Sequence, residues 1–257
     1  NVLLGLLTGI GLGVGLAFFF EYLDKSVKTP EEMQRASGVP AIGLVPALRP
    51  EGGGLRVIRA GGRADPALPA VERISHEDPK SKIAEAFRDL RTALLVSQAG
   101  GPPRTILITS AQPGEGKTAV VVNLGTTLAQ MGRRVLLVDA DLRRSRLHRI
   151  FALPNEHGLS NYLSDAGTPW PEARPTLIRG LEVIPGGPLP PNPADLLDSE
   201  RFDRIRRELE ARGYDHVIYD SPPVLAVADA AIMAGRVESV IVVVHAGVTS
   251  RDALEHA

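Results

Sequence analysis

Apolar positions along the chain fall into three regimes. From Asn1 to Phe20 they run almost without interruption, with no charge and only Asn1 and Thr8 as polar side chains. That is long enough to span a bilayer as a helix. Gly5, Gly9, Gly11, Gly13 and Gly15 would each destabilise a soluble helix by about 1 kcal/mol, whereas their four-residue spacing lets a second helix approach closely in lipid. Beyond the run, Thr29, Pro30, Glu31 and Glu32 read as an N-cap, a first-turn proline and two dipole-compatible acids, opening a short helix to about Ser37. Ala41 to Val45 reads as a strand. Between Leu48 and Lys80 glycines, prolines and arginines scatter with neither hydrophobic period, which reads as a linker.

From Ser81 the pattern becomes regular. Ile83, Phe87, Leu90 and Leu94 recur at helical spacing. Then Thr105–Thr109, Val135–Val138, Leu181–Ile184, Val217–Tyr219 and Val240–Val244 form short, mostly unalternating β-branched or aliphatic runs, as expected of strands covered on both faces. Helical stretches at Thr118–Met131 and Arg201–Arg212 separate some of them. The alternation predicts an α/β fold with a doubly wound, mostly parallel sheet, its ligand site at the C-terminal strand ends. The expected divisions are a membrane helix at 1–20, a juxtamembrane segment and linker at 21–80, and a globular domain at 81–257 whose C-terminus is expected to be incomplete. Because the chain opens on Asn1 at the edge of the apolar run, a preceding region is expected as well.

Composition narrows the chemistry. Across 257 residues, 44% are hydrophobic and 23% charged, close to globular averages. A net charge of −1 supplies no basic field for nucleic acid, so any anion site must be local. With no cysteine, thiolate metal sites, disulfides and cysteine nucleophiles are excluded.

The local anion site is legible after the first regular strand, where Ser110-Ala111-Gln112-Pro113-Gly114-Glu115-Gly116-Lys117-Thr118 leads into a helix. This is a phosphate-binding loop in its strand–loop–helix context. Backbone N–H groups converge on phosphate oxygens, Lys117 adds charge, and Thr118 offers a hydroxyl to Mg²⁺. Ala111 stands where the pattern usually has its first glycine. Two other strands end in carboxylates, at Asp139-Ala140-Asp141 and at Asp220-Ser221-Pro222-Pro223. Hard oxygen ligands suit Mg²⁺, which takes only one or two protein carboxylates. Three acids exceed that need and leave one for a base or water-orienting role in phosphoryl transfer.

Together these segments resemble the bacterial tyrosine kinases that form the cytoplasmic part of polysaccharide co-polymerases in capsule and exopolysaccharide export. The similarity covers Glu21-Tyr22-Leu23-Asp24, Lys28-Thr29-Pro30-Glu31, the phosphate loop, Asp139-Ala140-Asp141-Leu142-Arg143-Arg144, Pro191 to Leu197, Asp220 to Pro223 and Ala246 to Arg251. The resemblance implies a P-loop ATPase fold, an ATP-dependent protein-tyrosine autokinase, and MgATP contacted by Gly114, Glu115, Gly116, Lys117, Thr118 and Ala119. It implies Thr118, Asp141 and Asp220 at the metal, Asp139 as base for the tyrosine hydroxyl, and catalytic duty for Lys117, Asp139, Asp141 and Asp220.

Glu85, Arg88 and Arg91 reproduce a Glu-x-x-Arg-x-x-Arg pattern that the family associates with ring assembly. Their spacing alone puts them on a solvated face opposite the apolar stripe. A homo-oligomeric ring, polysaccharide polymerisation and export partners, and a bacterial inner-membrane location with the kinase in the cytoplasm are the remaining implications. Two departures stand out. Tyr22, Tyr162, Tyr214 and Tyr219 are scattered rather than clustered at the C-terminus, and Ser145 replaces the proline common after Arg144, read as a local change in helix entry. The same fold also serves nucleotide-switched positioning ATPases, but their loop carries an extra lysine where Gln112 stands here. A non-catalytic chain-length regulator would not need Lys117 with three strand-end carboxylates.

Overall fold

The computed structural model describes residues 2–23, 25–47, 71–165 and 167–257. The linker expected from residue 48 lies outside the described residues as far as residue 70. Helices α1 (Val2–Leu23), α2 (Pro30–Ser37), α3 (Ile74–Glu77) and α4 (Lys82–Leu95) precede strand β1 (Thr105–Ser110). Then come α5 (Lys117–Gln130), β2 (Val135–Asp139), α6 (Leu147–Ile150), α7 (Leu159–Ser164), β3 (Arg174–Pro175) and β4 (Leu181–Ile184). The chain continues with α8 (Pro193–Leu197), α9 (Glu200–Ala211), β5 (His216–Asp220), α10 (Asp229–Ala234), β6 (Ser239–Val243) and α11 (Arg251–Glu255).

Among the described residues the strands form one sheet in the order β3-β4-β2-β5-β1-β6, parallel except for β3. The unalternating runs of β1, β2, β4 and β5 conceal a period of two, because both faces of the sheet are buried there. The edge strand β6, expected to be covered on both faces, instead buries Ile241 while leaving Val240 and Val242 exposed. Ile106, Ile108, Val135, Leu137, Val183 and Ile218 point into a core shared with Phe87, Leu90 and Leu94 of α4 and Val121, Leu124 and Leu128 of α5. Leu107, Leu136, Val138, Ile184, Val217 and Tyr219 point the other way, into a core shared with Phe202, Ile205 and Leu209 of α9. Each such side chain contributes about 1.5–3 kcal/mol on burial, so a one-residue register slip would reverse both faces.

The helix starts follow their caps. Thr29 Oγ1 accepts from the Glu32 N–H at 3.2 Å, and Ser81 Oγ from the Ala84 N–H at 3.1 Å. Ala41 to Val45 is no strand: between Pro40 and Pro46 the chain is irregular, and Ile42 and Val45 pack against the first core. Proline at both ends removes donors that a ladder would need. Packing also begins before Ser81, since Ile74 is buried in that core.

The segment after α1 docks on the far end of the chain. Val27 N–H donates to Thr249 C=O at 2.9 Å, Gly247 N–H to Val27 C=O at 2.8 Å and Arg251 N–H to Lys25 C=O at 3.0 Å. Arg251 also pairs with Glu32 of α2 at 3.1 Å. Among the described residues no helix is long and apolar enough to cross a membrane. The described side chains Ile10, Leu12, Val14, Leu16, Phe18 and Phe19 of α1 are apolar and exposed.

Candidate nucleotide-binding site

Three segments meet at the C-terminal edge of the sheet because parallel strands deliver them there together. The loop after β1 turns through Gly114 and Gly116 at φ of +87° and +89°, a left-handed conformation that glycine adopts without a Cβ penalty. Ala111 is absent from the positive-φ positions and its side chain is buried, so a methyl group there costs the turn nothing. Gly116 then caps α5, leaving the first N–H groups of that helix directed at the loop.

Lys117 closes the loop onto the acids. Its Nζ lies 3.0 Å from Asp141 Oδ2 and 3.9 Å from Asp220 Oδ1. The Thr118 hydroxyl lies beside the Asp220 carboxylate and favours its charged form. The β2–β5 register places Asp139 opposite Asp220, and Ala140 N–H donates to Asp220 C=O at 2.8 Å. The structure therefore brings together Lys117, Thr118, Asp139, Asp141 and Asp220. Ala119 follows inside α5, where its carbonyl accepts from Asn123 Nδ2 at 2.9 Å.

The two deepest acids are incompletely satisfied. Asp139 Oδ2 accepts from Ser145 Oγ at 2.7 Å and from the Arg146 and Leu147 N–H groups at 2.9 Å each. Its Oδ1 is buried without a hydrogen-bond partner, as is Asp220 Oδ1. Burial raises Asp139 to about 6, against the opposing hydrogen bonds from residues 145–147. Burial likewise raises Asp220 to about 7, although Lys117 pulls the other way. Buried carboxylate oxygens with no donor call for a cation or a proton. Among the described residues no group of three or more His, Asp or Glu forms a ready metal cage.

Other residues do not join the phosphate site. Glu115 is buried, with Oε2 accepting from Gln112 N–H at 2.9 Å and Oε1 accepting from the Thr249 hydroxyl. Its carboxylate therefore shapes the loop rather than facing a ligand. Arg143 is committed to the buried Asp229 at 3.0 and 3.1 Å. Ser145, which the sequence reading set aside as a local change in helix entry, donates directly to Asp139. Its six-residue separation in a loop gives no periodic signal. Thr249 was equally hidden, being 134 residues from Glu115.

On α4, Glu85 and Arg88 pair at the surface and Arg88 Nη1 reaches Pro79 C=O at 2.8 Å. Arg91 departs from the solvated face expected of it: it is half-buried and donates to Thr127 C=O of α5 at 3.1 Å. Burial and the neighbouring Arg88 hold its pKa below the usual value.

Residues 106–243 match the CobQ/CobB/MinD/ParA nucleotide-binding domain. The chain is 38% identical over 179 residues to the tyrosine-protein kinase YwqD of Bacillus subtilis, covering 70% of this chain and 75% of that one. It is 36% identical over 182 residues to the putative tyrosine-protein kinase CapB of Staphylococcus aureus, covering 71% and 79%. With the tyrosine-protein kinase etk of Escherichia coli it shares 32% over 255 residues, 97% of this chain but 35% of that longer protein. The solved kinase domain of Escherichia coli ETK superposes with a TM-score of 0.73 at 33% identity, covering 90% of this chain and 89% of that one. Loop, paired strand-end carboxylates and these relatives agree, and the chain belongs to the bacterial tyrosine-protein kinases within the CobQ/CobB/MinD/ParA nucleotide-binding fold.

Proposed function

We propose that this chain is an ATP-dependent protein-tyrosine kinase that phosphorylates its own kind within a homo-oligomer and regulates polysaccharide polymerisation and export. The observation that carries the reading is the gathering of Lys117 with three strand-end carboxylates, two of which hold a buried oxygen without a hydrogen-bond partner. Thr118, Asp141 and Asp220 would hold Mg²⁺, which when bound neutralises charge on the phosphoryl oxygens. Gly114 to Ala119 supply the phosphate cradle and the start of α5. Lys117 exchanges its carboxylate partners for the phosphates, a short movement for a side chain already at the loop. Asp139 Oδ1 receives the tyrosine proton, and its pKa, raised by burial to about 6, is near the operating range of a general base. Ser145 and the N–H groups of Arg146 and Leu147 hold the other oxygen and so fix the direction of Oδ1.

The apolar, exposed face of α1 supports a membrane-spanning role for residues 1–20, followed by the juxtamembrane segment and linker to residue 80 and the kinase domain from residue 81. ATP chemistry places that domain in the cytoplasm at the inner membrane. Glu85, Arg88 and Arg91 remain candidates for the ring interface, Arg91 also donating to Thr127 C=O of α5 within the subunit. Incubation of the 257-residue chain with radiolabelled ATP and Mg²⁺ tests the kinase reading. Label on tyrosine is expected, whereas free phosphate without labelled protein would overturn it.

A further inference from the structure

Resting on the kinase reading, we infer that Tyr22 is the phosphoryl acceptor among the chain's own tyrosines. The sequence contains four. Three are built into the second core or its rim: Tyr219 is 1% exposed, Tyr214 5% and Tyr162 8%, while Tyr22 is 86% exposed.

The buried three are held by more than depth. Tyr219 lies on the central strand β5 with its ring 6.0 Å from that of Phe202. Tyr214 donates its hydroxyl to Glu182 beneath the Arg134 guanidinium. Tyr162 packs edge-on to Trp170 at 5.3 Å, with Arg201 over its face at 5.2 Å. In-line transfer needs the phenolic oxygen at the γ-phosphorus. Any of these three would have to leave the core first, taking strand or helix contacts with it.

Tyr22 has the opposite situation, and the strap that follows it fixes where it can go. Val27 is paired with Thr249, and the Thr249 hydroxyl is bonded to Glu115 of the phosphate loop. Tyr22 is five positions from Val27, so chain length confines it to within about 18 Å of that anchor. The exposed phenol is thus tethered at the edge of the sheet where the phosphate loop lies. If α1 spans a membrane, Tyr22 emerges at the interface on the kinase side, where a tyrosine keeps its hydroxyl in water. In the step, an Oη–P bond forms as the bond from the γ-phosphorus to the β,γ-bridging oxygen of ATP breaks. ADP leaves with that oxygen's electron pair, and the phenolic proton passes to Asp139.

The test uses the 257-residue chain in detergent micelles with ATP and Mg²⁺, mapped by peptide mass spectrometry, with a glutamate–tyrosine copolymer as external acceptor. Phosphate is expected on Tyr22. Tyr22→Phe should lower self-labelling at least tenfold while leaving copolymer labelling unchanged. Without nucleotide, mild nitration with tetranitromethane should modify Tyr22 at least tenfold faster than the other three tyrosines. Copolymer labelling with phosphate on Tyr162, Tyr214 or Tyr219, or undiminished self-labelling of Tyr22→Phe, overturns the inference and leaves the kinase reading standing. Equal nitration of all four also overturns it. Absence of label on both chain and copolymer overturns the kinase reading and this inference together.

Discussion

Lys117 sits against two carboxylates in a site whose remaining acid is Asp139, so the loop's one positive side chain serves the protein before it serves a ligand. Replacing it by methionine should lower tyrosine transfer by about 10²–10³-fold, the usual loss when a charge-stabilising donor is removed. A folded Lys117→Met protein with wild-type transfer would refute the assignment. Asp139→Asn should reduce kcat by about 10²–10⁴-fold with little change in nucleotide affinity, as a lost base does. Titration calorimetry beside initial rates separates the two effects.

Asp220 supplies a stability test. Its folded pKa is raised to about 7 against a free value near 4, so the unfolded chain ionises first as pH rises. The ion-free protein should lose stability between about pH 4 and pH 7 and hold level above that window. Asp220→Asn removes this cost. Its melting temperature at pH 8 without metal should exceed wild type, by about 2–4 °C for each kcal/mol gained, while Mg²⁺ no longer stabilises it. A lower melting temperature for the variant would contradict the burial argument. Lys117, Thr118, Asp141 and Asp220 were legible in the sequence because each ends a hydrophobic run or follows a glycine loop. Ser145 and Thr249 were not, since their meaning depends on what the fold sets beside them.

At the scale of elements, α4 shows how far periodicity reaches. Its buried stripe and Ser81 cap follow from spacing, and Glu85 is exposed as spacing requires, with Arg88 half-buried beside it. Arg91 differs because α5 crosses close enough for its guanidinium to find Thr127 C=O, a contact no local pattern encodes. Replacing Glu85 and Arg88 together by alanine therefore isolates the surface pair. The proposed oligomer should dissociate in light scattering with ATP and Mg²⁺ present, because desolvated interfacial charges are worth about 2–5 kcal/mol when one partner is lost. An unchanged mass would leave this face merely solvated. The strap offers a second test. Thr249→Val strips the hydroxyl from buried Glu115 and should destabilise the protein by about 1–3 kcal/mol in urea unfolding, while Thr249→Ser should not. Strand β3 has only two residues and so carries no period, and Ala41 to Val45 resembles an edge strand because its apolar residues lie between prolines.

For the whole molecule, the mostly parallel sheet was readable because its doubly covered strands β1, β2, β4 and β5 are continuously apolar, while β6 is apolar although it exposes Val240 and Val242 at the sheet edge. Sheet order was not readable. It is set by which faces the crossover helices cover, and composition does not record that. The docking of residues 25–27 on the far end of the chain was hidden for a similar reason: its backbone hydrogen bonds are independent of side-chain identity.

Strand order also bears on how the protein is made. β1 carries the phosphate loop, yet its neighbours are β5 and β6, with Thr105 opposite Val217 and Ile106 opposite Ser239. A ribosome adding about 5–20 residues per second leaves β1 without either neighbour for on the order of ten seconds after it is synthesised. During that interval an apolar strand end and a glycine-rich loop have no sheet to join, and pairings this distant in sequence form slowly. The nucleotide site is thus assembled last although its signature is read early, and a nascent chain halted before β5 would carry the whole loop and bind no nucleotide.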